Sequence, residues 1–271
     1  MIELRWLVLI LPLYAEIHYR FKWFPFSRYF RREPEIIADA PFRLEPGMPL
    51  PVLLLIKDAH QYPIHLHSVT FTGKDEAGNT LIKQISQNLV IDRHWWYQTV
   101  ELDPHNLMGK LSLEVSFDYT INGKRRMAIN HNLPGSPEKP LTINLADQSL
   151  PGSKRGWYWG DLHTHTSLTE DQVEFGAPLE ATQKAANACG LSFVCLTDHS
   201  YDLDDKMDSW YETDPDLQKW HDSRNLLKNL NENAETILVA GEELSSGNSR
   251  GKNIHILLLN WPEFIPGAGD G

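Results

Sequence analysis

His163 and His165 stand two residues apart in Gly160-Asp161-Leu162-His163-Thr164-His165-Thr166, directly after the aromatic run Trp157-Tyr158-Trp159. In an extended segment, residues two apart project to the same side, so the two imidazoles can grip one ion together. Two carboxylates, Glu170 and Asp171, follow five and six residues beyond His165. Imidazole nitrogen and carboxylate oxygen are the ligands that divalent transition metals prefer. A second His-x-His at His65-Leu66-His67 has no acid close behind it and is read as incidental.

The elements that must position these groups are legible around them. Leu191–Thr197 reads as a buried parallel strand ending in Asp198-His199, and Ile237–Ala240 as a second, ending in Gly241-Glu242-Glu243. Ile254–Leu259 is a third apolar run, with His255 near its start. Between them, Ala177–Ala188, opened by Pro178 and stopped at Gly190, predicts a helix. Leu217–Asn233 predicts another, with Leu226, Leu227 and Leu230 at core spacing. Strand, helix, strand, helix, strand implies a parallel sheet. Metal-type residues would then gather at one end of it, as α/β barrels build their sites. Acids at strand ends also cap the next element, but five concordant positions favour a site. Glu242 would face away from Glu243 if the strand stays extended.

Asp161-Leu162-His163-Thr164-His165, then Thr197-Asp198-His199, Gly241-x-Glu243 and His255, resemble the first motifs of the PHP (polymerase and histidinol phosphatase) metallohydrolases. The resemblance covers roughly residues 157–260, and the preceding region is similar to the accessory β-domain of the CehA/McbA-like branch. It implies a distorted seven-stranded barrel holding two or three zinc, manganese or iron ions. It also implies phosphoester hydrolysis, or, in the CehA-like branch, cleavage of carbamate-type esters. By the family pattern, His163, His165, Asp171, His199, Glu243 and His255 would be the metal ligands, with Glu170 and Glu174 as alternatives to Asp171. Glu243 would bridge two metals. His199 is a ligand or a general acid, and Asp198 its orienter or a weak ligand. The family pattern also has later ligands, a further His and an Asp-x-His pair, so the chain is expected to be the front part of such a domain.

Composition sets the remaining bounds. The chain has 271 residues with 41% hydrophobic and 23% charged, typical of a folded protein. Its net charge of −11 argues against a broad basic nucleic-acid-binding face. Residues 148–271 carry 9 basic and 20 acidic groups, net −11, so the excess acid lies in the metal-motif half. The expected partner is a small anionic ester, with nucleic acid entering only as a short oligonucleotide or nucleotide substrate. Cys189 and Cys195 flank the start of an apolar strand and read as reduced, buried thiols, which fits a cytoplasmic location. The apolar stretch Trp6–Tyr14 is shorter than the roughly 20 residues of a spanning helix, and no transmembrane segment is expected.

In chain order, residues 1–33 form an aromatic and basic arm. Residues 34–147 are all strand and turn, with candidate strands at Ile36–Leu44, Pro51–Lys57, His65–Thr72, Thr80–Ile91, Trp95–Leu102, Lys110–Ile121, Arg125–Asn130 and Pro140–Leu145. Leu111–Tyr119 alternates with period two, and Asn122-Gly123 is a type I′ hairpin turn. This predicts an immunoglobulin-like sandwich. Residues 148–156 read as a linker, and 157–271 as the front of a partial (βα) barrel. From Asp198 to Asp216 there are eight acids and one Lys, a solvated loop or an acidic lid. Arg250 and Lys252 lie in the loop before His255, where they could meet a substrate anion.

Overall fold

The computed structural model describes residues 33–133, 136, 138–152, 156–169, 175–207 and 209–267. The N-terminal arm, apart from Glu33, lies outside the described residues, as do Glu170, Asp171 and Glu174. The described residues form two compact units. One takes the residues up to Asp39 with Val52–Val100 and Leu111–Thr142; the other takes Ala40–Pro51, Glu101–Lys110 and the residues from Ile143 onward.

The first unit is built from β-strands. β1 (Glu35–Asp39), β3 (Leu50–Lys57) and β6 (Trp95–Leu102) form one sheet in the order β1-β3-β6. In the other, β4 (Ile64–Asp75) lies between β5 (Thr80–Ile91) and β7 (Gly109–Ile121), and β8 (Lys124–Ile129) pairs with β7, all antiparallel. Period-two alternation is what lets β7 bury one face. Leu111, Leu113, Val115, Phe117, Tyr119 and Ile121 are all 3% exposed or less. In β4 the buried set shifts from Ile64 and Leu66 to Val69 and Phe71, because a register shift falls between Leu66 and Ser68. The turn after β7 is Asn122-Gly123, both at positive φ (50° and 73°), as a type I′ hairpin requires.

The second unit draws in a distant piece of chain. β2 (Arg43–Leu44) pairs in parallel with β9 (Leu141–Leu145) through Arg43↔Asn144 and Leu44↔Leu145. Arg43 donates to the Cys189 carbonyl at 2.8 Å and to Glu45 Oε1 at 2.5 Å, and Glu45 N donates to the Ala188 carbonyl at 2.8 Å. Residues 40–51 are thereby fastened to the end of helix α1 (Leu179–Cys189). That helix ends as expected at Gly190, in the left-handed conformation with φ 82°.

The main sheet of this unit has the order β10 (Gly160–Thr164), β11 (Phe193–Leu196), β14 (Ile237–Gly247), β15 (Asn253–Leu259). It is a curled, partially closed sheet with flanking helices, a partial (βα) barrel preceded in the chain by the all-β region. β10, β11 and β14 are parallel. β15 departs from the expected pattern, for it runs antiparallel to β14, from Gly241↔Leu259 to Gly247↔Asn253. The reason is length. β14 does not stop at Ala240 but continues through Gly247, leaving five residues before Asn253, enough for a hairpin but not for a crossover of about a dozen.

Leu179 and Ala186 of α1 pack on Val194, Leu196 and Leu238, with Leu227 and Leu230 of α3 (Gln218–Leu230) against them. Leu226, expected in that core, is instead 37% exposed. The acidic stretch after β11 folds into the short helix α2 (Ser200–Leu203) and the hairpin of β12 (Asp205–Lys206) and β13 (Ser209–Thr213). Cys189 and Cys195 are free and buried, and burial raises both thiols, so neither is a ready nucleophile. Among the described residues no helix is long and apolar enough to cross a membrane.

Candidate metal centre

The ends of the parallel strands β10 and β11 and the start of the antiparallel β15 converge on Glu243 of β14. β10 delivers His163, and His165 follows one residue after its end. β11 is followed by Thr197-Asp198-His199, and His199 bridges in parallel to Glu243 of β14. Because β15 runs backwards, its beginning lies beside the far end of β14, and Ser245 pairs with His255. The reversal is what brings His255 to the same end of the sheet as the other three histidines.

Glu243 is buried, and its carboxylate is surrounded by imidazoles. Oε2 lies 2.8 Å from His165 Nε2, 3.4 Å from His163 Nε2 and 3.6 Å from His199 Nδ1. Oε1 lies 2.5 Å from His255 Nδ1. Burial by itself would raise this carboxyl. The bond to His165, the charge of His199 and the bond to His255 outweigh it and hold Glu243 below its ordinary value. Two donor groups result, His163-His165-Glu243 and His199-Glu243-His255, each with ligand atoms within 4.8 Å of one another. They share Glu243, whose Oε2 faces His163, His165 and His199 and whose Oε1 faces His255.

The rings brace one another as well. His165 packs edge-on against His163 and His199, with centroids 5.1 and 4.5 Å apart, and His199 stacks on Tyr201 at 4.7 Å. Two glycines are dictated by close approach. A Cβ at Gly176 would fall 1.8 Å from the His165 carbonyl oxygen, and one at Gly241 would fall 2.8 Å from the Leu196 carbonyl oxygen.

Asp198 is occupied elsewhere. Its Oδ1 accepts from Thr166 N (2.6 Å), Thr169 N (3.2 Å) and Thr169 Oγ1 (2.8 Å), and its Oδ2 from Thr166 Oγ1 (2.9 Å). It clamps the turn that follows His165. Glu242 faces the opposite way from Glu243, as strand alternation predicts, accepting from Trp220 Nε1 at 2.8 Å and pairing with Arg224 at 3.4 Å. Lys219, which the sequence reading did not single out, is 1% exposed and donates to the Leu168 and Asp202 carbonyls. A fully buried Lys has no signature in sequence. His65 and His67 sit side by side on β4, with His67 bonded to Thr120 Oγ1 at 2.7 Å, and belong to neither donor group. The four imidazoles and the shared carboxylate suit divalent cations.

No protein-family model matches this chain, and no curated protein matches it. Among solved structures, a similar chain is the X-ray structure of Northeast Structural Genomics Consortium target SoR45. The two share 12% identity over 45% of this chain and 92% of the other, with a TM-score of 0.27, a likeness too slight to carry an argument.

Proposed function

We propose that this chain is a metal-dependent hydrolase of the PHP type, CehA/McbA-like branch, acting on a small phosphoester. The observation that carries the reading is the sharing of one buried carboxylate, Glu243, between two three-residue donor groups. Zinc, manganese or iron bound there would lower the pKa of a bound water and polarise the substrate oxygen.

The protein's own residues have distinct tasks in this reading. Glu243 holds one oxygen toward His163 and His165 and the other toward His255. His199, 2% exposed and stacked on Tyr201, is held as a ligand or as a proton donor to the leaving oxygen. Asp198 fixes the turn leading to Asp171, which we propose as the further ligand. Arg250 and Lys252 sit on the β14–β15 turn, whose backbone is tied to Asn248 Oδ1 at 2.8 and 3.2 Å, and would meet the anionic part of the substrate. The all-β region ahead of the α/β half also fits a hydrolase of carboxylic or carbamic esters.

The test is metal analysis followed by turnover. Purified protein supplied with zinc or manganese is expected to retain at least one ion per chain, lost on His163→Ala plus His165→Ala and kept on His65→Ala plus His67→Ala. It should cleave an aryl phosphate faster than an aryl ester. The opposite preference would move the substrate class to carboxyl esters. Metal retention with no turnover of either would make the chain a binding protein, and failure to retain metal would end the proposal.

A further inference from the structure

β10 is irregular where it matters most. Asp161 pairs with Val194 and Thr164 with Leu196, so three steps along β10 match two along β11, and the extra residue falls at Leu162-His163. A bulge of this kind re-aims side chains and takes backbone amides out of the ladder. Two amides at the bulge, those of His163 and Thr164, bond to side chains. His163 N donates to Asp161 Oδ1 at 3.1 Å, and Thr164 N donates to Thr197 Oγ1 at 3.2 Å.

The same Thr197 oxygen lies 2.7 Å from His163 Nδ1. Thr197 is fully buried, and its backbone N–H is fixed to the Thr164 carbonyl at 2.9 Å, so this hydroxyl sits on a rigid support. With Nδ1 engaged, the ring turns Nε2 toward Glu243 Oε2, 3.4 Å away. A neutral imidazole has one N–H and one lone pair. A ligating Nε2 therefore needs its proton on Nδ1, and the Nδ1–H needs an acceptor. A hydroxyl has two lone pairs and one proton, so Thr197 can accept from Thr164 N and from His163 Nδ1 together.

We propose that Thr197 is a positioning residue: one hydroxyl holds the β10 bulge and fixes the His163 ring with Nε2 as its metal-facing atom. This deepens the metal-centre reading and rests on it. Such outer partners of a ligating histidine set its tautomer and orientation. The task needs a small hydroxyl at this position. An isosteric Val keeps the volume but loses the acceptor for both the ring and the Thr164 amide.

Three measurements on the full chain decide it: zinc affinity by competition with a chromophoric chelator, thermal melts, and crystal structures of zinc-free wild type and Thr197→Val. The Val variant should bind zinc about 10- to 100-fold more weakly, with its His163 ring rotated or split between two orientations. Thr197→Ser, which keeps the hydroxyl, should restore both affinity and ring position. An unmoved ring in Thr197→Val, or zinc bound as tightly as by wild type, overturns the proposal. So does a folded Thr197→Ser as weak as the Val variant, which also decides the matter if the Val variant does not fold. If wild type itself takes up no zinc, the metal reading falls, and the zinc-free crystals still show whether Thr197 sets the ring.

Discussion

Asp198 offers the sharpest separation between a clamp and a ligand. Its carboxylate is 2% exposed and receives four hydrogen bonds, two from backbone amides and two from the hydroxyls of Thr166 and Thr169, both fully buried. Bonds to a charged acceptor contribute about 1.5–3 kcal/mol each, and an orphaned buried donor costs about 1–3 kcal/mol. The hydroxyls can rotate toward other acceptors, whereas the Thr166 and Thr169 amides cannot turn without moving the chain. Asp198→Ala is therefore expected to cost about 3–5 kcal/mol, a large share of a typical total of about 5–15 kcal/mol. Asp198→Asn keeps Oδ1 for three of the bonds, and its new amide can donate to Thr166 Oγ1, so its cost should be about 1–2 kcal/mol. Urea melts of the metal-free variants measure both costs, and zinc titrations show whether affinity falls in step with stability. A clamp predicts that it does, with Asn mild and Ala severe. An Asp198→Ala protein within about 1 kcal/mol of wild type would refute the bookkeeping. An Asp198→Asn protein of normal stability that no longer binds metal would make Asp198 a ligand.

Adjacent acids on β14 should behave oppositely. Glu242→Ala should lose about 3 kcal/mol of stability, because Arg224 and Trp220 Nε1 are left in the interior without their acceptor; chemical melts check this. Glu243→Gln should melt near wild type and fail to retain zinc in equilibrium dialysis. Tyr119 supplies an alkaline signature: burial, then the charge of Glu33, push its phenol up to about 12. A folded value above the unfolded one of about 10 means that stability is intact below pH 10 and is lost as pH rises toward 12, by at most about 2–3 kcal/mol. Melts across that range should show the decline, and Tyr119→Phe should flatten it.

Much of this was legible in the linear chain because its causes are local. Period-two burial along Leu111–Ile121, the Asn122-Gly123 turn, and the Gly190 stop of α1 depend on neighbours a few residues away, and each element formed where its pattern stood. The abrupt passage from apolar strand to Asp198-His199 and to Glu242-Glu243 marked where polar groups would collect. Alternation along β14 likewise separated Glu243 from Glu242, since successive side chains of a strand leave on opposite faces.

What tertiary structure alone decided was strand pairing and long-range hydrogen bonding. The direction of β15 turned on how far β14 extends beyond Ala240, which depends on the ladder it makes with β15 and not on its own residues. That direction is why His255, at the start of its strand, reaches the ends of the others. The role of Asp198 depended on two threonines about thirty positions earlier in the chain, and that of Thr197 on a bulge that frees one amide and one imidazole nitrogen to meet a single oxygen. Residue type and spacing nominate the groups able to hold a metal. Which partners each one meets is set by hydrogen bonds between strands far apart in sequence, and only the folded chain brings those partners within hydrogen-bonding distance, as with Thr197 Oγ1 and His163 Nδ1 at 2.7 Å.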